Sequence, residues 1–291
     1  MVGGNALQLA GLTAAAITPD QLLPYVRAVS GLESSLCSGC ALHRGGGQAV
    51  LVAYPQGKPD DMAAVDAAVA EALALPGLER LTVIAPARPT AAPAGAESTQ
   101  DAYWSLPLPL AHPKGRAGQK TRNLVRRASR ETVIAEDGGA GAWTREHAAL
   151  AEAFIEKKGD ALDAGSAYIF RKLSDYLGAA PGARLFSARD ASGRLVACAI
   201  GDFSSFTTAF YMFAFRSPEA PPGTADALLS ALAAEGAARG HALLNLGLGM
   251  GAGVSFFKKK WGARPYLPCV ETSWTPERPK KGGWLSRLFG S

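Results

Sequence analysis

The stretch from Asn245 to Ala263 combines an apolar run, a series of glycines and three consecutive lysines. Its first part, LLNLGLG, predicts a strand, and VSFFKKKWGA predicts a helix after it. Four glycines occur in seven residues where the two parts meet, at positions 247, 249, 251 and 253. Glycine allows a ligand or another strand to come close because it has no Cβ. A strand end, a glycine-rich gap and a basic helix together indicate a site for a phosphate-bearing ligand, although the spacing matches no Walker or dinucleotide motif.

The positive charge of the chain is concentrated in one segment. The sequence has 30 basic and 25 acidic residues, a formal charge of +5, and seven of the basic residues lie between Lys114 and Arg130 with no acid among them. The segment QKTRNLVRRASRE (119–131) predicts a helix that places Arg122, Arg126 and Arg130 on one face. Like charges at this spacing repel each other. The pattern therefore favours an anionic ligand across this face, and a merely solvated helix is the alternative.

Length and composition indicate a globular protein. At 291 residues, with 48% apolar and 19% charged residues, the chain can build one large or two ordinary domains with a sizeable core. Its four cysteines are too few for a disulfide scaffold. Cys37 and Cys40, with His43 nearby, form at most half of a metal site; no metal is predicted, and the role of the two cysteines is left open. Cys198 and Cys269 are predicted core residues.

The apolar segments do not predict a membrane span. The run from Leu195 to Phe215 carries polar residues in its middle and predicts a hairpin. The N-terminus lacks the pattern of a signal peptide, so we expect a cytoplasmic protein. The basic tail places Trp284, Leu285, Leu288 and Phe289 at helical spacing. This pattern indicates a peripheral contact with an anionic surface at the inner face of the membrane.

The predicted elements follow an α/β order. A buried strand (49–54), a helix (60–75) and a second strand (81–86) form a β-α-β unit. Residues 85–98 are predicted to be a loose connection, and 101–110 an edge strand, because its prolines exclude a central one. The remaining elements are the basic helix, a strand at 133–138, helices at 144–159 and 166–179, a hairpin at 183–203, a strand at 207–217, a helix at 223–241, and the strand, helix and final strand that end at 274.

From about residue 120 to 275, this order resembles the GNAT acyltransferase fold, and more specifically the Fem peptidyltransferases and the C-terminal domain of phosphatidylglycerol lysyltransferases. Three motifs carry the resemblance: KTRNLVRRA, PPGTADALLSALAAEGAARGHALLNLGLG, and FFKKKWGA followed by Arg264-Pro265-Tyr266. The resemblance implies an α/β (α+β) fold with a mixed, mostly antiparallel sheet flanked by helices. It divides the chain into a partial N-terminal GNAT-like unit (1–112), an acyltransferase domain (113–275) and the basic aromatic tail (276–291).

The resemblance also bears on the acyl donor. A GNAT enzyme that uses acetyl-CoA holds the pyrophosphate on a Gln/Arg-x-x-Gly-x-Gly/Ala loop, of which only Gly223-Thr224-Ala225 remains here. Pro221 and Pro222 remove amide donors from the same loop. The Fem-like relatives instead imply an aminoacyl-tRNA as donor, with acyl-CoA as the alternative co-substrate; no other cofactor and no DNA partner is expected. The implied donor-binding residues are Lys120, Arg122, Arg126, Arg127, Arg130, Gly223 and Thr224.

Acyl transfer needs a contact that polarises the donor carbonyl and a route for one proton. The fold places Tyr211, Phe213 and Phe215 near the cleft between its splayed central strands, with their facing undecided. Tyr211 is a candidate acid or a core tyrosine. Asn245 orients the acceptor or satisfies a broken strand edge, and Lys258 stabilises developing charge or is solvated. The predicted acceptor-binding residues are Gly247, Phe257, Lys260 and Asp202, the last also as a candidate base.

The predicted function is transfer of an aminoacyl group from charged tRNA to an amine or hydroxyl acceptor, such as a small molecule, a peptide or a lipid head group. One alternative is an acyl-CoA-dependent N-acyltransferase. The other is a non-catalytic GNAT-fold module that binds RNA or another anion.

Overall fold

The computed structural model describes residues 2–111, 115–249 and 252–276. Its N-terminal part contains three helices and five strands. They are α1 (Val2–Ala14), α2 (Leu23–Ser30), β1 (Glu33–Cys37), β2 (Cys40–Gly45), β3 (Gln48–Val52), α3 (Met62–Leu73), β4 (Arg80–Ala85) and β5 (Glu97–Pro107). The predicted β-α-β unit is present as β3, α3 and β4, with β3 and β4 parallel.

The rest of the chain begins with the basic helix and alternates helices with strands. The elements are α4 (Gly115–Glu131), β6 (Thr132–Gly138), α5 (Arg145–Lys158), α6 (Ala164–Arg171), α7 (Leu173–Ala179), β7 (Ala183–Asp190), β8 (Leu195–Asp202), β9 (Thr208–Arg216), α8 (Thr224–Ala238), β10 (Leu243–Leu248), α9 (Ala252–Lys260) and β11 (Arg264–Trp274). From residue 49 to 274 the order predicted from the sequence is confirmed, apart from one broken helix and the position of one strand; α1, β1 and β2 were not predicted.

All the strands of the described residues join one sheet, in the order β1-β2-β3-β4-β11-β5-β10-β9-β8-β7-β6. Only β3 with β4 and β9 with β10 pair in parallel, and a helix connects the strands of each pair. The other neighbours are antiparallel. The predicted mixed, mostly antiparallel α/β sheet is therefore confirmed.

The prediction that 101–110 is an edge strand was wrong, because β5 is central and pairs with both β10 and β11. Pro107 is the last residue of the strand, and the next amide, that of Leu108, donates to Ala242 O at 2.9 Å. Pro109 follows the strand. A proline at a strand end removes no hydrogen bond from the ladder, so it does not exclude a central position. As a result, a strand from the N-terminal part lies between two strands of the C-terminal part.

The helix predicted at 166–179 is two short helices, α6 and α7. Lys172 lies between them with φ −96° and ψ 5°, and its amide donates to Ile169 O. The two helices bury different amounts of side chain: α7 buries Leu173, Tyr176 and Leu177, whereas no residue of α6 is fully buried. The break lets α7 pack into the core and leaves α6 nearer the surface.

Two apolar cores cover opposite faces of the C-terminal strands. One contains Trp261 and the apolar face of α8, including Leu228 and Leu232. The other holds the aromatic residues of α5 and α6 against β7, β8 and β9.

In residues 2–111, 115–249 and 252–276, no helix is long and apolar enough to cross a membrane. The amphipathic tail predicted after residue 276 lies outside the described residues, and the three-part domain division remains a prediction.

Candidate active site

β9 and β10 diverge after a short paired segment. These parallel strands pair at only three positions, Thr208 to Phe210 against Leu243 to Asn245. Beyond them β9 continues to Arg216 and β10 to Leu248 without further pairing to each other. α8 and α9 begin shortly after the two strand ends. In open α/β sheets, ligands bind at the carboxyl ends of strands, so this divergence is the natural place for a substrate.

A bulge in β9 determines which aromatic residues face each core. Gly201 pairs with Tyr211, and Ile200 pairs with Phe213, so Met212 is the extra residue. Tyr211 packs against the core that contains α8, whereas Phe213 lies in the opposite core, with its ring 5.9 Å from that of Phe170. Burial raises the pKa of Tyr211, helped by the charge of nearby groups, and keeps its phenol protonated. Of the three aromatic residues proposed for the cleft, only Tyr211 therefore lies on the α8 side.

Lys258 is buried beside the end of β10. Its side chain is on α9 and the residue is 3% exposed. The ammonium group donates to Gly247 O at 2.9 Å and also to the carbonyl of Leu248. Burial lowers its pKa to about 8, and the charge of Asp101 acts in the opposite direction. At neutral pH most molecules still hold an ammonium at this position, with two of its three N–H groups bonded to protein carbonyls.

Asp101 belongs to the same group of residues, and no sequence pattern pointed to it. It lies on β5, and its Oδ1 accepts the amide of Gly249 at 3.1 Å. A Cβ on Gly249 would lie 2.7 Å from that oxygen, so glycine is needed for this close approach. The two residues are 148 positions apart in the chain, and the central placement of β5 brings them together.

Asn245 is held by bonds within the protein. Its amide nitrogen donates to Ile17 O at 2.8 Å and to the hydroxyl of Tyr266 at 2.9 Å. Its oxygen accepts the amide of Gly247 at 2.7 Å, next to a shift in the pairing of β10 with β5. Gly247 itself has φ +74°. These contacts match the interpretation in which Asn245 satisfies an irregular strand end, and an acceptor-orienting role stays a prediction.

The start of α8 is closed by the basic helix. Gly223 has φ +93° and lies against the backbone of Leu124 on α4. Thr224 is fully buried, and both its amide (3.2 Å) and its hydroxyl (2.7 Å) donate to Pro221 O. Of the two predicted donor-binding residues of this loop, Gly223 therefore lies beneath α4, and Thr224 has its amide and hydroxyl bonded within the protein.

A carboxylate occupies the first turn of α8. Asp226 is buried and accepts from the ammonium of Lys260 at 2.6 and 2.7 Å and from Trp261 Nε1 at 2.9 Å. Negative charge is stabilised at a helix N-terminus, which is also where GNAT enzymes hold pyrophosphate. Lys260, a predicted acceptor-binding residue, is thus engaged in an ion pair that joins α8 to α9.

The basic helix packs on α8 and faces solvent with its cations. Ala128 is fully buried, and Val125 packs against the α8 core. Arg127 donates to Glu131 at 2.8 Å, an acid immediately after the acid-free window. Within the described residues, no ion pair involves the exposed side chains of Lys120, Arg126 and Arg130. Arg122 is partly buried and does have an interaction partner.

The two remaining predicted site residues, Phe257 and Asp202, lie in different parts of the structure. Phe257 is partly buried against the α8 core, and its neighbour Phe256 is 71% exposed. Asp202 is buried at the end of β8, where it pairs with Phe210 and accepts from the Tyr176 hydroxyl at 2.6 Å and the Ser204 amide at 2.8 Å. In the described residues, no hydrogen bond or ion pair joins Asp202 to Lys258.

Cys37 and Cys40 are paired across a two-residue turn between β1 and β2, and both are buried as free thiols. Burial raises the pKa of Cys40 to about 11, so it remains a thiol at neutral pH. Both ring nitrogens of His43 are engaged, with the Ser34 hydroxyl and with Asp20 O. Across the described part of the chain, no three His, Cys, Asp or Glu side chains are grouped to hold a metal ion.

Comparison with known proteins gives structural relatives only. No protein-family model matches the sequence, and no curated protein matches it. The C-terminal domain of a candidate lysylphosphatidylglycerol synthetase from Agrobacterium fabrum is similar with a TM-score of 0.59 and 14% identity, over 94% of this chain and 92% of that one. FemX is similar with a TM-score of 0.56 and 11% identity, over 97% and 98%.

A tandem GNAT protein from the clavulanic acid biosynthesis pathway is similar with a TM-score of 0.50 and 15% identity, over 95% of this chain and 97% of that one. At these identities the likeness concerns the fold. It covers nearly the whole length of each chain, including the N-terminal strands that complete the sheet. The chain therefore has a GNAT-type fold, and its architecture resembles that of FemX and of the lysylphosphatidylglycerol synthetase domain.

Proposed function

We propose that this protein transfers an aminoacyl group from a charged tRNA to an amine or hydroxyl acceptor. The closed start of α8 is the observation that carries the proposal. Pro221 and Pro222 have no amide hydrogen, the Thr224 amide is already bonded to Pro221 O, and the buried Asp226 of the first turn is paired with Lys260. A CoA pyrophosphate would lack the usual backbone donors of this loop.

The helix that closes this position is also the most basic element of the chain. α4 packs its apolar side on α8 and exposes Lys120, Arg126 and Arg130. Cations along a helix suit the phosphates of RNA, which supply most of the affinity in such complexes. The same element therefore supports both parts of the proposal, the exclusion of CoA and the binding of a polyanionic donor. This agrees with the donor that the resemblance to the Fem peptidyltransferases implies.

The buried ammonium of Lys258 suits the transition state of the reaction. The acceptor nitrogen or oxygen attacks the ester carbonyl, a C–N or C–O bond forms, and the bond to the tRNA ribose oxygen breaks. Two N–H groups of Lys258 are held by Gly247 O and Leu248 O, and we assign the third to the oxyanion of the tetrahedral intermediate. Tyr211, which burial keeps protonated, is the residue that we assign to protonate the leaving ribose oxygen, and the proton that the acceptor loses restores the Tyr211 phenol.

On this proposal, the acceptor enters beside Gly247 and Phe257, at the end of β10 and on the first turns of α9. The exposed side chains of Val254 and Phe256 lie on the same helix. A peptide or lipid head group has both the amine or hydroxyl and the apolar surface for such a position. A lipid acceptor would place the protein in peripheral contact with the inner face of the membrane, as the basic tail predicts.

A non-catalytic module is the second candidate, and one observation favours it. The polar groups of Asn245 and Lys260 are bonded within the protein, so they already have structural roles. Such a module would bind RNA or another anion through α4. It would need neither Lys258 nor Tyr211 for its activity.

A transfer assay distinguishes the two candidates. The protein is incubated with tRNA charged with a labelled amino acid and with amine, peptide and phospholipid acceptors, and labelled product is separated from tRNA. We expect transfer that falls by about 10²- to 10³-fold in Lys258→Met, the usual loss when an oxyanion donor is removed. Arg145→Gln, a change of an exposed residue on α5, serves as the control and should transfer normally. No labelled product from the wild type above a protein-free background, with equal tRNA binding by Lys258→Met, Tyr211→Phe and the wild type, would establish the binding module instead.

A further inference from the structure

A groove lies at the carboxyl end of β9, between α5 and the first turns of α8. Its volume is about 620 Å³, within the range of small-molecule sites in proteins. One face of α5 lines it, from Leu150 to Lys158, together with the residues that follow Phe215 and with Ala225 and Leu228 of α8. Apart from Phe215, a residue predicted near the cleft, and Ala225 of the Gly223-Thr224-Ala225 loop, these side chains belong neither to the predicted site residues nor to the proposed transfer.

The inner surface of the groove is apolar and includes aromatic rings. The rings of Phe154 and Phe215 are 5.5 Å apart in an edge-on arrangement, and Phe170 packs 5.3 Å from Phe215 behind them. Leu150 and Leu228 complete the apolar wall. An aromatic cluster of this kind fixes the shape of the wall, so a ligand chain would bind a preformed surface.

The rim of the groove is positively charged. Lys157, Lys158 and Arg216 line it and are exposed, and none of them has an ion-pair partner in the residues that the structure describes. The only carboxylate among the lining residues is Glu219, which accepts the hydroxyl of Ser217. Three cations therefore surround the opening of an apolar groove with one acid between them. This arrangement complements a ligand with an apolar chain and an anionic end.

We propose that this groove binds a single-chain anionic amphiphile, an acyl or aryl chain that ends in a phosphate or a carboxylate. The chain lies against Phe154 and Phe215, and the anionic end is held by Lys158 and Arg216. The site goes beyond the proposed function, since its occupation requires neither tRNA nor acyl transfer.

Titration calorimetry with monomeric decyl phosphate tests the site directly. We expect saturable binding that strengthens about fourfold for each added methylene between octyl and decyl phosphate, because each is transferred from water to the apolar wall. Decanoate should compete for the same site and inorganic phosphate should bind far more weakly. Decyltrimethylammonium has the same chain with the opposite charge and should not compete.

Two variants locate the binding. Ala153→Trp fills the groove from an exposed helical position and should weaken decyl phosphate binding at least about tenfold, the loss expected for roughly two displaced methylenes. Arg216→Gln should weaken it about two- to fivefold, as for a solvent-exposed charge pair. Arg145→Gln, at the opposite end of α5, should bind as the wild type does. Equal binding of decyltrimethylammonium, or unchanged binding by Ala153→Trp, would overturn the proposal. Because no tRNA is present, either result leaves the donor assignment to be decided separately.

Discussion

The backbone of Leu124 lies directly against Gly223, so that a Cβ on this glycine would be 2.7 Å from the Leu124 carbonyl carbon. The contact joins the middle of the basic helix to the residue that precedes α8. Both the positive φ of Gly223 and its close approach require glycine. The basic helix is thereby fixed over the position where a GNAT enzyme would hold the CoA pyrophosphate.

This contact makes Gly223→Ala a sensitive test of how α4 is attached. The alanine would be strained at φ +93° and its Cβ would overlap the Leu124 backbone, so we expect a loss of about 3 kcal/mol in the free energy of unfolding. Gly240→Ala is the matched control, because Gly240 has φ +87° and open space around its Cβ position. It should cost only about 1 kcal/mol. Urea denaturation measures both, and equal losses would show that α4 does not press on α8.

The buried ion pair between Asp226 and Lys260 should be strongly coupled. Lys260→Met leaves the Asp226 carboxylate buried without its cation, at a cost of about 3 kcal/mol. Asp226→Asn keeps an acceptor for Trp261 but strands a partly buried ammonium, at about 2 kcal/mol. The loss of unfolding free energy in the double variant should be smaller than the sum of the two single losses by at least about 1 kcal/mol. A double-mutant cycle in urea measures this coupling, and additive losses would contradict the bridge between α8 and α9.

Lys258→Met should stabilise the protein while it slows transfer. Burial lowers the folded-state pKa of Lys258 to about 8, against roughly 10.4 in an unfolded chain. The wild type therefore carries the full penalty of a buried ammonium below about pH 8, and the penalty disappears as the pH rises towards 10. At pH 7 we expect the variant to be more stable by about 1 kcal/mol, since water can reach the two partly exposed carbonyls that lose their donor.

Subtracting the free energy of unfolding of the wild type from that of Lys258→Met cancels the contribution of the buried cysteine thiols, whose pKa values burial raises. The stability gap should shrink between pH 8 and pH 10, as measured by urea denaturation at each pH. A variant that is less stable at pH 7, or a gap that does not change with pH, would mean that Lys258 holds the end of β10 in place and has no electrostatic cost.

The basic helix should set the salt dependence of RNA binding. Each phosphate contact adds about 0.7 to 0.9 to the slope of log affinity against log salt. Neutralising Arg122, Arg126 and Arg130 together should therefore reduce the slope by roughly two to three units. Arg145→Gln, on the helix that packs against the other face of the sheet, should leave it unchanged. If the triple variant keeps the wild-type slope, α4 is merely a solvated helix.

The local parts of the fold could be predicted from the sequence, and the long-range parts could not. Hydrophobic periodicity located α3, α8 and the β7–β8 hairpin, because each depends on residues close in the chain. The central placement of β5 depends on its pairing with β10 and β11. These strands are more than a hundred residues away in the sequence, so no pattern near β5 indicates the pairing. Pro268 lies within β11 in the same central region, so proline content alone does not identify an edge.

The candidate site could also be predicted only where its residues are close in the sequence. Lys258 could be found because its glycines and its helix are adjacent in sequence. Asp101, which accepts the Gly249 amide, and the Ile17 carbonyl that holds Asn245 lie in the N-terminal part, and only the assembled sheet brings them to the end of β10. The facing of Tyr211 depended on the bulge at Met212, for which the aromatic run TTAFYMFAFRS gives no signal.

The central claim is that the donor is a charged tRNA and that CoA is excluded. Equilibrium binding of charged tRNA and of acetyl-CoA to the same wild-type protein tests it most directly. We predict saturable, salt-dependent binding of the tRNA and no saturable binding of acetyl-CoA up to about 1 mM, the upper end of ordinary substrate affinities. Tight, saturable CoA binding without affinity for tRNA would contradict it.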